Sequence, residues 1–203
     1  IAIGANSLGN QNAGADAYNV AIGHDAGASV TTGNQNTILG ALGADALTTG
    51  QYNTALGYKA LSLDTQGNRN TAVGYETCDN QNTAVGFHAG KEITTGTENV
   101  AIGGEALDAC TVGNGNVAVG VQALSTDQNG SRSVAVGATA LKVQEASGST
   151  SNNYYNIGIG YGAGSAITDS YYNTIVGSNA MNSATSGCTF NTVLGINAAN
   201  DMT

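Results

Sequence analysis

The sequence predicts an all-β protein, a parallel β-solenoid (β-roll) of about twelve short rungs that stack into a rod. Three observations carry this prediction. Gly4, Gly23, Gly40, Gly57, Gly74, Gly86, Gly103, Gly120, Gly137, Gly160, Gly177 and Gly195 recur at a spacing that is mostly 17, with one copy of 12 and one of 23. A branched aliphatic residue stands immediately before every one of them, from Ile3 to Leu194. Asn19, Asn36, Asn53, Asn70, Asn82, Asn99, Asn116, Asn156, Asn173 and Asn191 open ten of the eleven complete units, with Ser133 in the remaining one. A period of roughly 20 residues is the signature of a solenoid.

Each column has a physical reading. Alternate strand residues share a face, so Val20 and Ile22, or Val100 and Ile102, point the same way. Thr at the first of these positions (Thr37, Thr54, Thr71) is β-branched and suits a half-buried strand face. The residue between them is usually alanine, as in Ala21, Ala55 and Ala72, which predicts close approach by another surface. The glycine that follows permits the turn that ends the strand. The alanine three residues beyond it, with its following Leu or Gly, is expected in a second short strand or a bend. Asn side chains bond neighbouring backbone at turns and can stack as ladders between rungs, so the Asn column reads as architectural.

Composition alone would argue for disorder. Leu, Ile, Val and Phe make up just under a fifth of the residues, and the net charge is -9. Their fixed offsets override that reading, because a disordered chain has no reason to keep a period. Thirty glycines and no proline suit a fold of many tight turns. Five Lys and Arg leave no cationic footprint for nucleic acid or an anionic membrane. No apolar run approaches the ~18 residues of a membrane span. Cys78, Cys110 and Cys188 fall in different columns of distant repeats and are expected as free thiols. At roughly 4.8 Å per rung the rod would be about 55 Å long. Its thin, alanine-rich core looks marginal at about 25 cal/mol per Å² of buried apolar surface, which favours lateral association of several chains.

The blocks Asn-Thr-Ala-Leu-Gly-Tyr-Lys-Ala-Leu (53–61), Asn-Val-Ala-Ile-Gly (19–23 and 99–103) and Asn-Val-Ala-Val-Gly (116–120) resemble two related groups. One is the head repeat of trimeric autotransporter adhesins. The other is the Asn-Thr-Ala-x-Gly…Ala-Leu…Thr-Thr-Gly repeat of bacteriophage tail and virion fibre proteins, which the period of about 17 matches better. The resemblance covers the whole chain and implies a left-handed roll, a homotrimeric rod, and a place on a virion or at the cell surface. It implies no cofactor. This chain departs from the pattern at the 12-residue copy (70–81), at Gly43 in the copy 36–52, and in an insertion loop, 141–155. Residues 1–203 are expected to be one repeat domain, and Ile1, lying inside a repeat, is expected to belong to a longer fibre.

Chemistry-bearing groups are sparse. His24 and His88 occupy different columns, which argues against a shared metal site. The carboxylates are dispersed; Asp64 and Asp127 share a column, as do Arg69 and Arg132, and all four are read as solvated loop charges. No nucleophile–base pair, phosphate loop, zinc spacing or calcium nonapeptide is present, so an enzyme is not expected. Aromatics fall into two columns: Tyr18, Tyr52, Tyr155, Tyr172 and Phe190 before the repeat Asn, and Tyr58, Tyr75, Phe87 and Tyr161 after the core glycine. Ring stacking between rungs accounts for them. A candidate ligand platform for a host surface glycan or protein is Tyr154, Tyr155, Tyr171 and Tyr172. The expected function is therefore a structural or adhesive fibre segment of a phage, with the head of a bacterial trimeric adhesin as the alternative. A polysaccharide-degrading tailspike ranks lower for want of convergent carboxylates. An ice-binding solenoid does too, because Val and Ile interrupt the Thr column.

Overall fold

The computed structural model describes residues 1–14, 16–77, 81–144, 152–184 and 187–200. Twelve strands follow the predicted columns: β1 (Ala2–Ile3), β2 (Val20–Ile22), β3 (Thr37–Leu39), β4 (Thr54–Leu56), β5 (Thr71–Val73), β6 (Thr83–Val85), β7 (Val100–Ile102), β8 (Val117–Val119), β10 (Val134–Val136), β12 (Ile157–Ile159), β13 (Thr174–Val176) and β14 (Thr192–Leu194); two short ones, β9 (Gly130–Ser131) and β11 (Asn152–Asn153), lie outside those columns. Twelve of these form one parallel sheet in the order β1 to β8, β10, β12, β13, β14; β9 and β11 pair separately. The chain is an all-β parallel solenoid.

Each repeat pairs column to column with the next: Val20 with Thr37, Ala21 with Ile38, Ile22 with Leu39. The odd-length copies do not shift this register. Thr71 pairs with Thr83 across the short copy, and Val134 with Ile157 across the long one. Leu141 and Gln144 are fully buried in regular core columns and Tyr154 is buried too, so the extra residues of the long copy fall between Gln144 and Tyr154. Residues 145–151 of that insertion lie outside those described, as does Cys78.

The alternation resolves into inside and outside. The central strand residue is buried in every repeat from β2 to β14, including Ala21, Ile38, Ala55, Ala118 and Ile175, while its two neighbours are half-buried or exposed. The opposite wall is a run of turns, not a second strand. It contributes a small residue (Ala26, Ala60, Ala106, Ala140), a larger one after it (Leu61, Leu107, Leu124, Leu141), and a third column containing Val30, Leu47, Ile93 and Ile167. The two walls adjust to one another in volume. Where the strand centre is Ile38, the facing positions are Gly27 and Gly43, whose absent Cβ atoms would lie 2.9 and 3.1 Å from the Ile38 side chain. Where the strand centre is Gly158, Leu141 fills the space, 2.7 Å from where a Cβ would be. Gly43 is therefore no irregularity: it sits in the small-residue column and makes room for Ile38.

The core glycines are required twice over. Gly57 has φ +134°, a region that L side chains rarely adopt, and a Cβ there would collide with the carbonyl oxygen of Gly74 in the next coil. The same stacking repeats from Gly4 to Gly177.

Inside the turn runs the Asn column. The Asn19 carboxamide oxygen accepts the Asn36 amide at 2.8 Å, and Asn19 Nδ2 donates to the Gly33 carbonyl at 2.8 Å. Asn36, Asn53, Asn82, Asn99 and Asn116 repeat both bonds, reaching Gly50, Gly67, Gly96, Gly113 and Gly130. Ser133 donates its backbone amide to the ladder at 3.0 Å but has no carboxamide to continue it.

Candidate functional site

Because the central strand residue turns inward, the aliphatic residue before each core glycine turns out. Leu39, Leu56, Val85, Ile102, Val136, Ile159 and Leu194 are exposed, and the flanking column of Thr37, Thr54, Val100, Val117, Val134, Ile157 and Thr192 lies beside them, exposed or half-buried. These two columns run the length of the twelve-stranded sheet. Together they form one face, roughly 50 Å by 10 Å, or about 500 Å². Contiguous apolar patches beyond a few hundred Å² are unusual on a monomer and mark interaction surfaces.

Aromatic ladders line both edges of this face. On the side where the chain leaves each strand, Tyr58, Tyr75 and Phe87 stack with ring centres 5.5 and 5.6 Å apart, and His88 lies 3.8 Å from Phe87. On the side where the chain enters, Tyr155, Tyr172 and Phe190 stack at 5.2 and 4.9 Å with planes within 8° of parallel. Cations sit over these rings: Lys59 over Tyr58, Arg69 over Tyr52 and Arg132 over Tyr155, all between 5.6 and 5.8 Å. A polar ladder runs alongside, with Glu76 between Lys59 and His88 at 3.5 Å from each.

The four tyrosines of the C-terminal half do not form one platform. Tyr154 is fully buried and stacks on Tyr171 at 5.7 Å; Tyr155 and Tyr172 belong to the separate exposed ladder. In both pairs the ring faces are spent on each other, so a ligand approaching from the side would meet ring edges.

Two groups read as solvated loop charges are something else. Asp64 and Asp127 are 4% and 1% exposed, and both occupy the core column of Leu47 and Ile93. Asp64 accepts the Gln66 and Gly67 amides and, at 3.0 Å, the Asn70 carboxamide. Asn70 opens the short copy, whose loop sequence has no glycine to receive that amide, and Asp64 in the preceding coil stands in for it. Asp127 accepts the Gly130 amide at 2.7 Å and Gln144 Nε2 at 2.8 Å. Gln144 in turn donates to Ser133 Oγ at 2.9 Å and accepts from Asn156 at 2.8 Å. Each buried carboxylate thus sits one coil ahead of an odd-length copy and repairs the ladder there. The sequence signal was available: an Asp in a core column immediately before the 12-residue and the 23-residue copies. Arg69 and Arg132 are exposed, as cations over rings.

The remaining titratable groups carry little chemistry. Burial pushes the Asp45 carboxyl above its ordinary value against the pull of the Asp45 and Ala46 amides, and its Oδ1 is buried without a hydrogen-bond partner among the described residues. Burial likewise raises Asp108. Cys110 and Cys188 are both buried, Cys110 as a free thiol that burial pushes up to about 12, with Asp127 adding to it. Among the described residues no group of three or more His, Cys, Asp or Glu could hold a metal ion, and no helix is long and apolar enough to cross a membrane. No family model matches the sequence, and neither a curated protein nor a solved structure is significantly similar to it.

Proposed function

We propose that this chain is a rigid segment of an adhesive fibre, a homotrimeric shaft or head in which three rods pack on their apolar faces. The observation that carries the proposal is the continuous outward aliphatic column on the twelve-stranded sheet. A slender rod with an alanine-lined interior buries little, and covering an apolar face of about 500 Å² on each chain adds stabilisation that one rod lacks. The repeat's resemblance to phage tail and virion fibres supports a virion location, and its resemblance to the head repeat of trimeric adhesins supplies the number three. The mechanism is mechanical and multivalent: a stiff spacer holds several copies of a weak binding surface towards a host glycan or protein. Binding specificity belongs to what the repeat does not supply, chiefly the insertion of the long copy, 141–155.

Light scattering and electron micrographs test the reading together. The expected result is a trimer that images as a rod, and Ile102→Asp with Val119→Asp should convert it to monomer. A monodisperse monomer of the native chain at micromolar concentration would refute it. The blocks at 19–23 and 99–103 favour a second reading, the head of a bacterial surface adhesin. A C-terminal membrane β-barrel encoded downstream in the gene would decide for it.

A further inference from the structure

We infer that the rod carries a binding site for neutral sugars at Tyr161, where a pyranose ring enters the slot at Ala138 or at Ser178 and stacks on the tyrosine. The inference rests on the fibre reading above and adds to it a site and a class of ligand. It starts from the residue after each core glycine. From Phe87 onward this column alternates large and small: Phe87, Gly104, Val121, Ala138, Tyr161, Ser178, Ile196. The large members are 53%, 57%, 60% and 76% exposed. They stand two coils apart, about 9.6 Å, and each small residue leaves a slot between two of them. The first slot is open space: a Cβ at Gly104 would meet nothing within 4 Å.

The ladder in the same column gives the size of a slot. Tyr58, Tyr75 and Phe87, one coil apart, stack at 5.5 and 5.6 Å. Each slot is thus the place of one ring that the chain does not supply, and Tyr161 borders two. One coil away on either side stand Ala138 and Ser178, too small to cover a ring, and among the described residues no ring or cation lies against Tyr161. Around it the side chains of Thr139, Ser178 and Asn179 carry no hydrogen bond to another described residue. The Asn179 carboxamide oxygen lies 2.6 Å from where Gly162, next to Tyr161, would carry a Cβ, so the glycine keeps room for it there. No charged residue occupies this column or the one after it from Ala138 to Asn197. An aromatic face with uncharged donors and acceptors at its rim suits a neutral pyranose, whose C–H face stacks while its hydroxyls take the polar groups. A prolyl or aromatic side chain would fill the slot but displace the water on those groups without replacing its bonds. The two slots lie two coils apart, so one glycan can enter both, and several chains in a fibre multiply the contact.

Saturation-transfer NMR on the native protein tests this with the methyl glycosides of glucose, galactose and mannose, and with methyl glucuronide as a charged control. At least one neutral glycoside should give a saturable response at millimolar concentration, and the glucuronide a weaker one. Tyr161→Ala, at an exposed ring, should weaken binding about tenfold or more, while Tyr161→Phe should keep most of it. Ala138→Tyr with Ser178→Tyr fills both slots with rings of the chain's own, in a column that already stacks Tyr58 on Tyr75, and should abolish binding with the circular dichroism unchanged. A trimeric rod that answers to no neutral glycoside would overturn the inference and leave the fibre reading standing. Binding that survives both Tyr161→Ala and the filled slots would overturn the site. A stronger response to the glucuronide, or a response only to a proline-rich peptide, would overturn the class of ligand. A monomeric chain that binds a neutral glycoside through Tyr161 would uphold the site and overturn the assembly alone.

Discussion

Replacing Ile38 with alanine should empty one of the largest buried side chains, at the centre of β3, where it is fully enclosed between Gly27 and Gly43. Losses of this kind cost about 2–5 kcal/mol, and the stiff backbone of stacked coils leaves little means of collapse, so about 3–4 kcal/mol is expected. The new methyl of Gly43→Ala would lie 3.1 Å from Ile38 Cγ2 in an already filled interior. That variant alone should cost about 1–2 kcal/mol. Gly43 does not have positive φ, so the backbone accepts alanine and the cost is one of packing alone. The double variant recreates the alanine-facing-alanine arrangement of the coil that sets Ala55 against Ala60. Its cost should fall about 2 kcal/mol short of the sum of the single costs, since the methyl added at position 43 partly fills the space that Ile38 leaves. Denaturant unfolding followed by circular dichroism, at one fixed protein concentration, measures all three. Strictly additive costs would refute the claim that the two walls are matched in volume.

Three further outcomes follow from single positions. Gly57→Ala combines a φ of +134° with a collision against the Gly74 carbonyl. It should cost at least about 3 kcal/mol by the same unfolding measurement; a cost near zero would mean the coils are not stacked as described. Asp64→Leu would match Leu47 in the same column, yet it strands two backbone amides and takes one acceptor from Asn70 Nδ2, which keeps its bond to Asn53 Oδ1. A loss of about 2–4 kcal/mol is expected, where a purely hydrophobic view of that column predicts a gain. Asp45 holds its proton more tightly when folded. Below the ordinary carboxylate range both states are protonated and it costs nothing; as pH rises through that range the unfolded chain ionises first and stability is lost. Melting curves of Asp45→Asn should therefore coincide with the native protein's near pH 3 and lie above them at pH 7, and the reverse order would show that the group is not desolvated.

Much of the fold could be read from residues alone, and the reason differs by column. The core glycines announce themselves because no other residue tolerates both their φ and the next coil's carbonyl. The Asn column is legible because one side chain satisfies a donor and an acceptor in every coil it opens. Asp64, Asp127 and Gln144 were harder, since their roles depend on what the following coil lacks. The C-terminal tyrosines were harder still: Tyr154 and Tyr155 are adjacent in sequence, yet one is fully buried and the other lies on an exposed ladder.

The sequence by itself determined the period, the strand positions and their column-by-column pairing, because each coil must satisfy its backbone against a near-identical neighbour. Only the tertiary structure decided which side of each strand is the inside. Alternation says that Val20 and Ile22 share a face and that Ala21 takes the other, and it is silent on which faces the core. The interior between two closely spaced walls is too narrow for a column of valine and isoleucine in every coil. The alanines went in, the larger aliphatic residues went out, and the surface so created is the one on which the proposed assembly rests.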